Sequence, residues 1–146
     1  MNAQPLFPDK ELVISTDGGA RGNPGPAAIG AVVGGKPYGE YIGETTNNVA
    51  EYKALIFALK KAIALLGKEK AGETNVHCNM DSELIINQMK GIYKIKNADL
   101  QPLFIEVWNL RQDFKSVRFT HIPREENKLA DKMVNEALDK ALKSGL

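Results

Sequence analysis

Four acidic residues stand where predicted strands and helices start or end, and they are the side chains best suited to catalysis in this sequence. Asp17 and Asp81 each follow a short apolar segment, whereas Glu51 and Asp131 lie early in segments of helical periodicity. Each has an ordinary structural explanation when taken alone. Asp17 could start a turn, and the others could cap a helix or complement its dipole.

The periodicity places two of these carboxylates against the protein interior. Glu51 shares a helical stripe with Leu55, and Asp131 stands seven residues before Leu138 on the apolar side of its helix. Carboxylates at the edge of a core are costly, and two charges about 4 Å apart repel by roughly 4 kcal/mol at a dielectric near 20. A cluster of them would need protons, basic partners or a hard divalent cation. All-oxygen ligands suit Mg²⁺ or Mn²⁺.

Composition excludes several other classes of protein. The 146 residues are 43% hydrophobic and 25% charged, which indicates one globular domain and excludes disorder. No apolar run reaches the roughly 18 residues of a membrane span, and the N-terminus has no secretory apolar region. One cysteine, Cys78, excludes an internal disulfide and, with two histidines, a Cys/His zinc site. We therefore expect a cytoplasmic protein whose metal, if any, is held by carboxylates.

The pattern predicts an α/β fold with a five-stranded mixed β-sheet flanked by helices, in the order βββαβααβα. We expect a single domain over residues 1–146, with 1–10 as a loosely ordered N-terminal extension. Pro24 and Gly25 suit the centre of a type II turn, Asn48 suits the N-cap of the first helix, and Trp108 suits the core. The predicted strands are 12–17, 28–33, 38–45, 75–80 and 117–122, and the predicted helices are 48–66, 82–89, 100–114 and 127–143.

The residues around the four acids carry a resemblance to a known family. The motifs, in chain order, are Asp17-Gly18-Gly19 with Gly22-Asn23-Pro24-Gly25, Thr45-Thr46-Asn47-Asn48 before Glu51, Met80-Asp81-Ser82, and Pro123-Arg124-Glu125-Glu126-Asn127 before Ala130-Asp131. Together they resemble the type 1 ribonuclease H family, from about residue 12 to about residue 142.

The resemblance implies a fold and a reaction. The first and fourth strands would be central and adjacent, and the protein would be an endonuclease that hydrolyses the RNA strand of RNA–DNA hybrids, leaving 5′-phosphate and 3′-hydroxyl ends. Two divalent ions, Mg²⁺ with Mn²⁺ as the alternative, would be bound by Asp17, Glu51, Asp81 and Asp131. Asp17 would contact both ions, and Asp131 would be the most loosely held ligand.

The resemblance also implies a set of substrate contacts. Main-chain groups of Gly18, Gly19 and Ala20 could approach the 2′-hydroxyl that distinguishes RNA. Many bacterial members carry a basic protrusion where this chain has only residues 91–98, although Lys94 and Lys96 remain there. The other substrate-binding candidates are Asn23, Thr46, Asn47 and Asn48. Arg124 is a better catalytic assistant than His121, which lies in a predicted strand.

Two other functions stay open from the residues. A DNA nuclease or resolvase of the same fold would also use acidic residues and Mg²⁺, and a non-catalytic module would bind hybrids without cleaving them. The expected partner is an RNA–DNA hybrid, with no membrane, no obligatory protein partner and a monomeric state. With 19 basic and 18 acidic residues, no overall positive field attracts nucleic acid, so binding would be local.

Overall fold

The strands and helices follow the hydrophobic pattern of the sequence, with small shifts at their ends. The computed structural model describes residues 10–145. Its strands are β1 (Lys10–Ala20), β2 (Gly25–Val33), β3 (Lys36–Thr45), β4 (Thr74–Met80) and β5 (Ser116–His121). Its helices are α1 (Asn47–Leu66), α2 (Lys68–Ala71), α3 (Glu83–Met89), α4 (Gln101–Arg111) and α5 (Lys128–Lys143), and a 3₁₀ turn covers Arg124–Glu126. The predicted order is confirmed, with the four-residue α2 as an addition.

The five strands form one mixed sheet in the order β3-β2-β1-β4-β5. β1 is antiparallel to β2, and β2 to β3, whereas β1–β4 and β4–β5 are parallel pairs. The register places Ile14 of β1 beside Val33 of β2 and Cys78 of β4. Because β1 and β4 are parallel neighbours, their carboxyl ends meet at one edge of the sheet. Asp17 and Asp81 lie at this edge.

Helices pack on both faces of the sheet. α1 lies against β1 and β2 and also contacts α4, whereas α5 covers β2 and β3 on the opposite face. The side chains buried under α1 form the larger core, and they include Ile14, Tyr52, Leu55, Leu59, Val76, Cys78 and Phe119. The smaller core under α5 contains Ala28, Val134 and Leu138. Burial of each large apolar side chain contributes about 1.5–3 kcal/mol, so these two layers fix how the helices lie on the sheet.

Two glycines let helix backbones rest directly on the sheet. A Cβ at Gly18 would overlap the backbone of Ala50, in the first turns of α1. A Cβ at Gly30 would overlap the carbonyl oxygen of Ala130 in α5. Any larger residue would push these helix ends outward. The two contacts matter because the same helical turns carry Glu51 and Asp131.

Two details of the first hairpin and helix differ from the prediction. The N-cap of α1 is Thr46, whose Oγ1 accepts a hydrogen bond from Val49 N at 3.3 Å, and the predicted cap Asn48 lies inside the helix. Gly22 is the hairpin glycine with positive φ, at 98°, whereas Gly25 begins β2. The predicted type II turn is therefore wrong, since it requires a positive φ at Gly25.

Two further expectations concern Trp108 and the chain start. Trp108 is 51% exposed on α4, so its predicted place in the core is wrong; Val107 occupies the buried position. Residues 1–9 of the predicted extension lie outside the described residues, and Lys10 already belongs to β1. Within residues 10–145, no helix combines the length and apolar character that a bilayer span requires.

Candidate active site

Three carboxylates from three separate elements meet at the carboxyl edge of the central strands. Asp17 lies in β1 opposite Gly30, Glu51 lies in the second turn of α1, and Asp81 follows the last residue of β4. One carboxylate oxygen from each lies within 4.8 Å of the others. We call these three residues the carboxylate cluster. Its arrangement follows from the parallel β1–β4 pair and from the close contact of α1 with Gly18.

Asp131 brings a fourth carboxylate to the same place. It lies in the first turn of α5, lines the same open cleft of about 360 Å³ as the carboxylate cluster, and is close enough to hydrogen-bond with Asp17. The close contact at Gly30 holds this end of α5 against β2. The structure thus brings together all four acids that the sequence predicts as metal ligands.

Burial and mutual repulsion dominate the electrostatics of the carboxylate cluster. Burial first, and then the negative charges of the neighbouring carboxylates, raise the pKa of the Asp17 carboxyl from its ordinary 3.8 to about 8. Burial likewise raises the pKa of Glu51 to about 7, although a hydrogen bond with Ser82 and the charge of Arg124 lower it. Protons would neutralise the cluster in the absence of a cation. A hard divalent ion could replace those protons, because every donor in the set is an oxygen.

Five predicted residues other than the acids also line the cleft. They are Gly18, Gly19, Ala20, Asn47 and Arg124. Arg124 lies in the 3₁₀ turn before α5, where its side chain is exposed at the cleft and its charge acts on Glu51. The arrangement therefore places the Arg124 guanidinium at the acidic cleft.

Asparagine side chains join the first hairpin to the start of α1. Asn47 Oδ1 accepts a hydrogen bond from Ala20 N at 2.8 Å, and Asn23 Oδ1 accepts one from Asn47 N at 3.0 Å. The Ala20 N–H is thus already bonded within the protein. The amide NH₂ groups of both asparagines are the donors that this junction can offer to a ligand. Thr46 Oγ1 caps α1, and Asn48 is half-buried in the first turn of that helix.

The two predicted lysines lie away from the carboxylates. Lys94 and Lys96 are exposed in the segment between α3 and α4, where they line a separate shallow cavity with Leu84, Ile92 and Tyr93. Ile92 is 65% exposed and Tyr93 47% exposed. This surface is a basic and aromatic patch that a long ligand could reach only by extending beyond the cleft. His121 is the exposed last residue of β5 and does not line the cleft.

The sequence reasoning missed three residues of the site. Arg21 lines the cleft, and its Nη2 contacts Asp139 Oδ1 at 2.7 Å and Asn135 Oδ1 at 3.4 Å, so α5 holds it in place. Its position directly after the Gly18–Ala20 motif was a signal that could have identified it. Asn127 is buried beside Asp81, and Asn135 lines the cleft from α5. Asn127 stands at the end of the Pro123–Asn127 motif, but that motif does not show which group its side chain contacts. Asn135 has no local sequence signal, because its contacts depend on the folded chain.

Comparisons with known proteins agree with this geometry. A family model described as "Reverse transcriptase-like" matches residues 15–137. The "Bifunctional protein Rv2228c" of Mycobacterium tuberculosis is 40% identical over 141 residues, which are 92% of this chain and 37% of that protein. The "Ribonuclease HI" of Halobacterium salinarum is 40% identical over 131 residues, which are 86% of this chain and 63% of that protein. The chain therefore spans less than two thirds of the length of these relatives.

Solved structures match over nearly their full length. LC11-RNase H1 in complex with an RNA/DNA hybrid superposes with a TM-score of 0.84 at 48% identity, covering 90% of this chain and 99% of that one. The N-terminal RNase H domain of Rv2228c from Mycobacterium tuberculosis gives a TM-score of 0.83 at 39% identity, covering 94% and 99%. Both identities are high enough for the similarity to extend beyond the fold.

Proposed function

This chain belongs to the type 1 ribonuclease H family, and from that membership we propose that it is an endonuclease that hydrolyses the RNA strand of RNA–DNA hybrids. The observation that carries the proposal is the carboxylate cluster, with its three oxygens within 4.8 Å of one another at the floor of an open cleft. A relative solved with an RNA/DNA hybrid supports the choice of substrate.

Asp17, Glu51, Asp81 and Asp131 are the residues that would hold two Mg²⁺ or Mn²⁺ ions. When bound, such ions supply an activated water and stabilise the charge on the scissile phosphate and the departing 3′ oxygen. The products would carry 5′-phosphate and 3′-hydroxyl ends. The protein's own part is to fix the positions of these carboxylates before the substrate arrives. β1 and the bend after β4 supply two of them, and the helix starts supply the others.

Substrate selection in this proposal depends on shape and on the 2′-hydroxyl rather than on base sequence. Asn23 and Asn47 hold the Gly18–Ala20 backbone against α1, which leaves a small-residue surface where an RNA sugar can approach closely. Their amide NH₂ groups, with Asn48, would donate to sugars and base edges in the minor groove. Hydrogen bonds of this kind do not distinguish one base sequence from another.

Phosphate contacts complete the proposed interface. Thr46 would contact the DNA strand at the start of α1, and Lys94 and Lys96 would contact phosphates beyond the cleft. Arg124 would assist phosphate binding or product release from the mouth of the cleft. We further propose that the chain is a single ribonuclease H domain that acts as a cytoplasmic monomer without an obligatory protein partner.

The test is a cleavage assay on matched RNA–DNA hybrid, duplex DNA and duplex RNA, each with Mg²⁺, with Mn²⁺ and with chelator. We expect cleavage of the hybrid only when metal is present, and labelled ends of the predicted type. The variant Asp17→Asn should bind the hybrid but not cleave it. Cleavage of duplex DNA in preference to the hybrid would instead indicate a DNA nuclease of the same fold. Binding of the hybrid without cleavage by the parent protein would indicate a non-catalytic module.

A further inference from the structure

We propose that Asn127 is a positioning residue that fixes the spacing of the metal-binding carboxylates, an inference that rests on the proposed function. Its side chain is 2% exposed and lies where β1, the end of β4 and the start of α5 converge. The amide Nδ2 donates to the carbonyl oxygen of Thr16 at 2.9 Å and to Asp81 Oδ2 at 3.2 Å. One NH₂ group therefore holds a candidate ligand and the backbone next to another.

The main chain of Asn127 extends this link to a third acid. Asp131 N donates to the Asn127 carbonyl oxygen at 3.1 Å, in the first turn of α5. Thr16 directly precedes Asp17 in β1. Asn127 thus connects elements that carry three of the four carboxylates. The side chain makes the connections to β1 and to Asp81, and these are the ones that a substitution would remove.

Asp81 needs such a contact because the sheet does not hold it. It lies just beyond the last residue of β4, in a bend rather than in the hydrogen-bonded ladder. An amide N–H on one of its oxygens restricts rotation of the carboxylate, so the other oxygen keeps a defined direction. Groups that hold a metal ligand in place in this way contribute about 10–100-fold to metal affinity or activity.

The orientation of the amide is determined by its neighbours. Both the Thr16 carbonyl and the Asp81 carboxylate are acceptors, so only the NH₂ end can face them. The opposite oxygen, Asn127 Oδ1, is buried and has no hydrogen-bond partner among residues 10–145, and the same is true of Thr16 Oγ1. Leaving buried acceptors unpaired costs stability. The NH₂ group, which donates to both Thr16 and Asp81, is therefore the part of this side chain that the site uses.

The test compares Asn127→Ala with the parent in three measurements. These are the calorimetric affinity for Mg²⁺ or Mn²⁺ without substrate, the metal concentration that half-activates hybrid cleavage, and kcat at saturating metal. We expect metal affinity to weaken by about tenfold or more, with a matching rise in the half-activating concentration. Asn109→Ala, an exposed truncation on α4, is the matched control and should change none of the three.

A second variant keeps the proposal testable if Asn127→Ala folds poorly. Asn127→Asp retains the shape of the side chain but replaces the donor with an acceptor facing Asp81, and it should lower kcat at least tenfold. Asn109→Asp controls for the added charge. If thermal stability falls while metal affinity and kcat per folded molecule stay within twofold of the parent, Asn127 is only structural and the proposal is overturned. A parent that neither binds metal nor cleaves hybrid would instead refute the proposed function.

Discussion

Replacing Asp17 with asparagine should make the metal-free protein increasingly more stable than the parent as the pH rises toward neutrality. The pKa of Asp17 is raised from 3.8 to about 8 by burial and by the neighbouring carboxylates. A carboxyl with a raised folded-state pKa takes up a proton on folding at intermediate pH. This lowers the free energy of unfolding of the parent. The loss is absent below the pKa of Asp17 in the unfolded chain, grows through neutral pH, and is complete above about pH 8. The neutral amide of the variant would carry no such penalty.

The size of the effect follows from one proton. Between the pKa values of Asp17 in the unfolded and folded states, each pH unit lowers the parent's free energy of unfolding by about 1.4 kcal/mol. The Asp17→Asn variant does not have this loss. The difference in free energy of unfolding should therefore grow by about 2 kcal/mol between roughly pH 5.5 and pH 7. Glu51, whose pKa is raised to about 7, affects both proteins alike, because Asp17 is still protonated while Glu51 ionises. Its contribution cancels in the difference.

The assay is urea unfolding of both proteins in chelator across this pH range. Glu40→Gln, which removes an exposed carboxylate on β3, is the control. Three outcomes can be distinguished. A difference that grows with pH at about the stated slope supports a buried, clustered Asp17. A constant difference, or one that shrinks as the pH rises, would refute the reasoning, because Asp17 would then be ionised in the folded protein at low pH.

Three further predictions follow from the site. Mg²⁺ at a hundredfold excess over its dissociation constant should stabilise the parent by about 2.7 kcal/mol in thermal unfolding, and Asp17→Asn should lose most of that gain. Gly18→Ala should lower the free energy of unfolding by about 1–3 kcal/mol and reduce kcat, because the new methyl group overlaps the Ala50 backbone and displaces α1. The double variant Lys94→Ala/Lys96→Ala should raise KM with kcat unchanged, and each lost phosphate contact should flatten the salt dependence of hybrid binding by about 0.9 in logarithmic slope.

Matched controls accompany these measurements. Gly72→Ala places its methyl group at ordinary contact distances and tests the effect of losing a glycine alone. Lys140→Ala/Lys143→Ala removes two exposed positive charges from the end of α5 and should leave KM unchanged. An equal rise in KM for both lysine pairs would mean that hybrid binding depends only on the net charge of the protein. A fully active Gly18→Ala would show that catalysis does not depend on the close contact between Gly18 and α1.

The sequence predicted those parts of the fold that are encoded locally. Short segments between Gly/Pro turns, the first of them rich in β-branched residues, predicted the early strands. The helical stripe through Leu55 correctly predicted that Glu51 faces the sheet. The four-residue α2 was missed because it is too short to show a period. The α1 cap was assigned to Asn48 instead of Thr46, since both are good caps and only the folded turn distinguishes them.

Contacts between distant parts of the chain explain the remaining differences. Trp108 fits a helical stripe, but α4 buries Val107 instead. The sequence of a helix does not determine how it packs against its neighbours. Asn127 looked like an ordinary helix start, and its hydrogen bond to Asp81 joins residues 46 positions apart. The four acids were identified because family motifs surround them. Asn127 belongs to one of these motifs, but only the folded chain shows that its amide contacts Asp81.

The distance in sequence between Asp17 and Asp131 has a consequence for the protein during synthesis. A ribosome makes β1 early, but α5 only after every strand of the sheet has been made. Until that helix docks on β2 and β3, the growing polypeptide has neither its last acid nor the buried asparagine, and the acidic edge is incomplete. A nascent chain at this stage would therefore lack part of the proposed metal site.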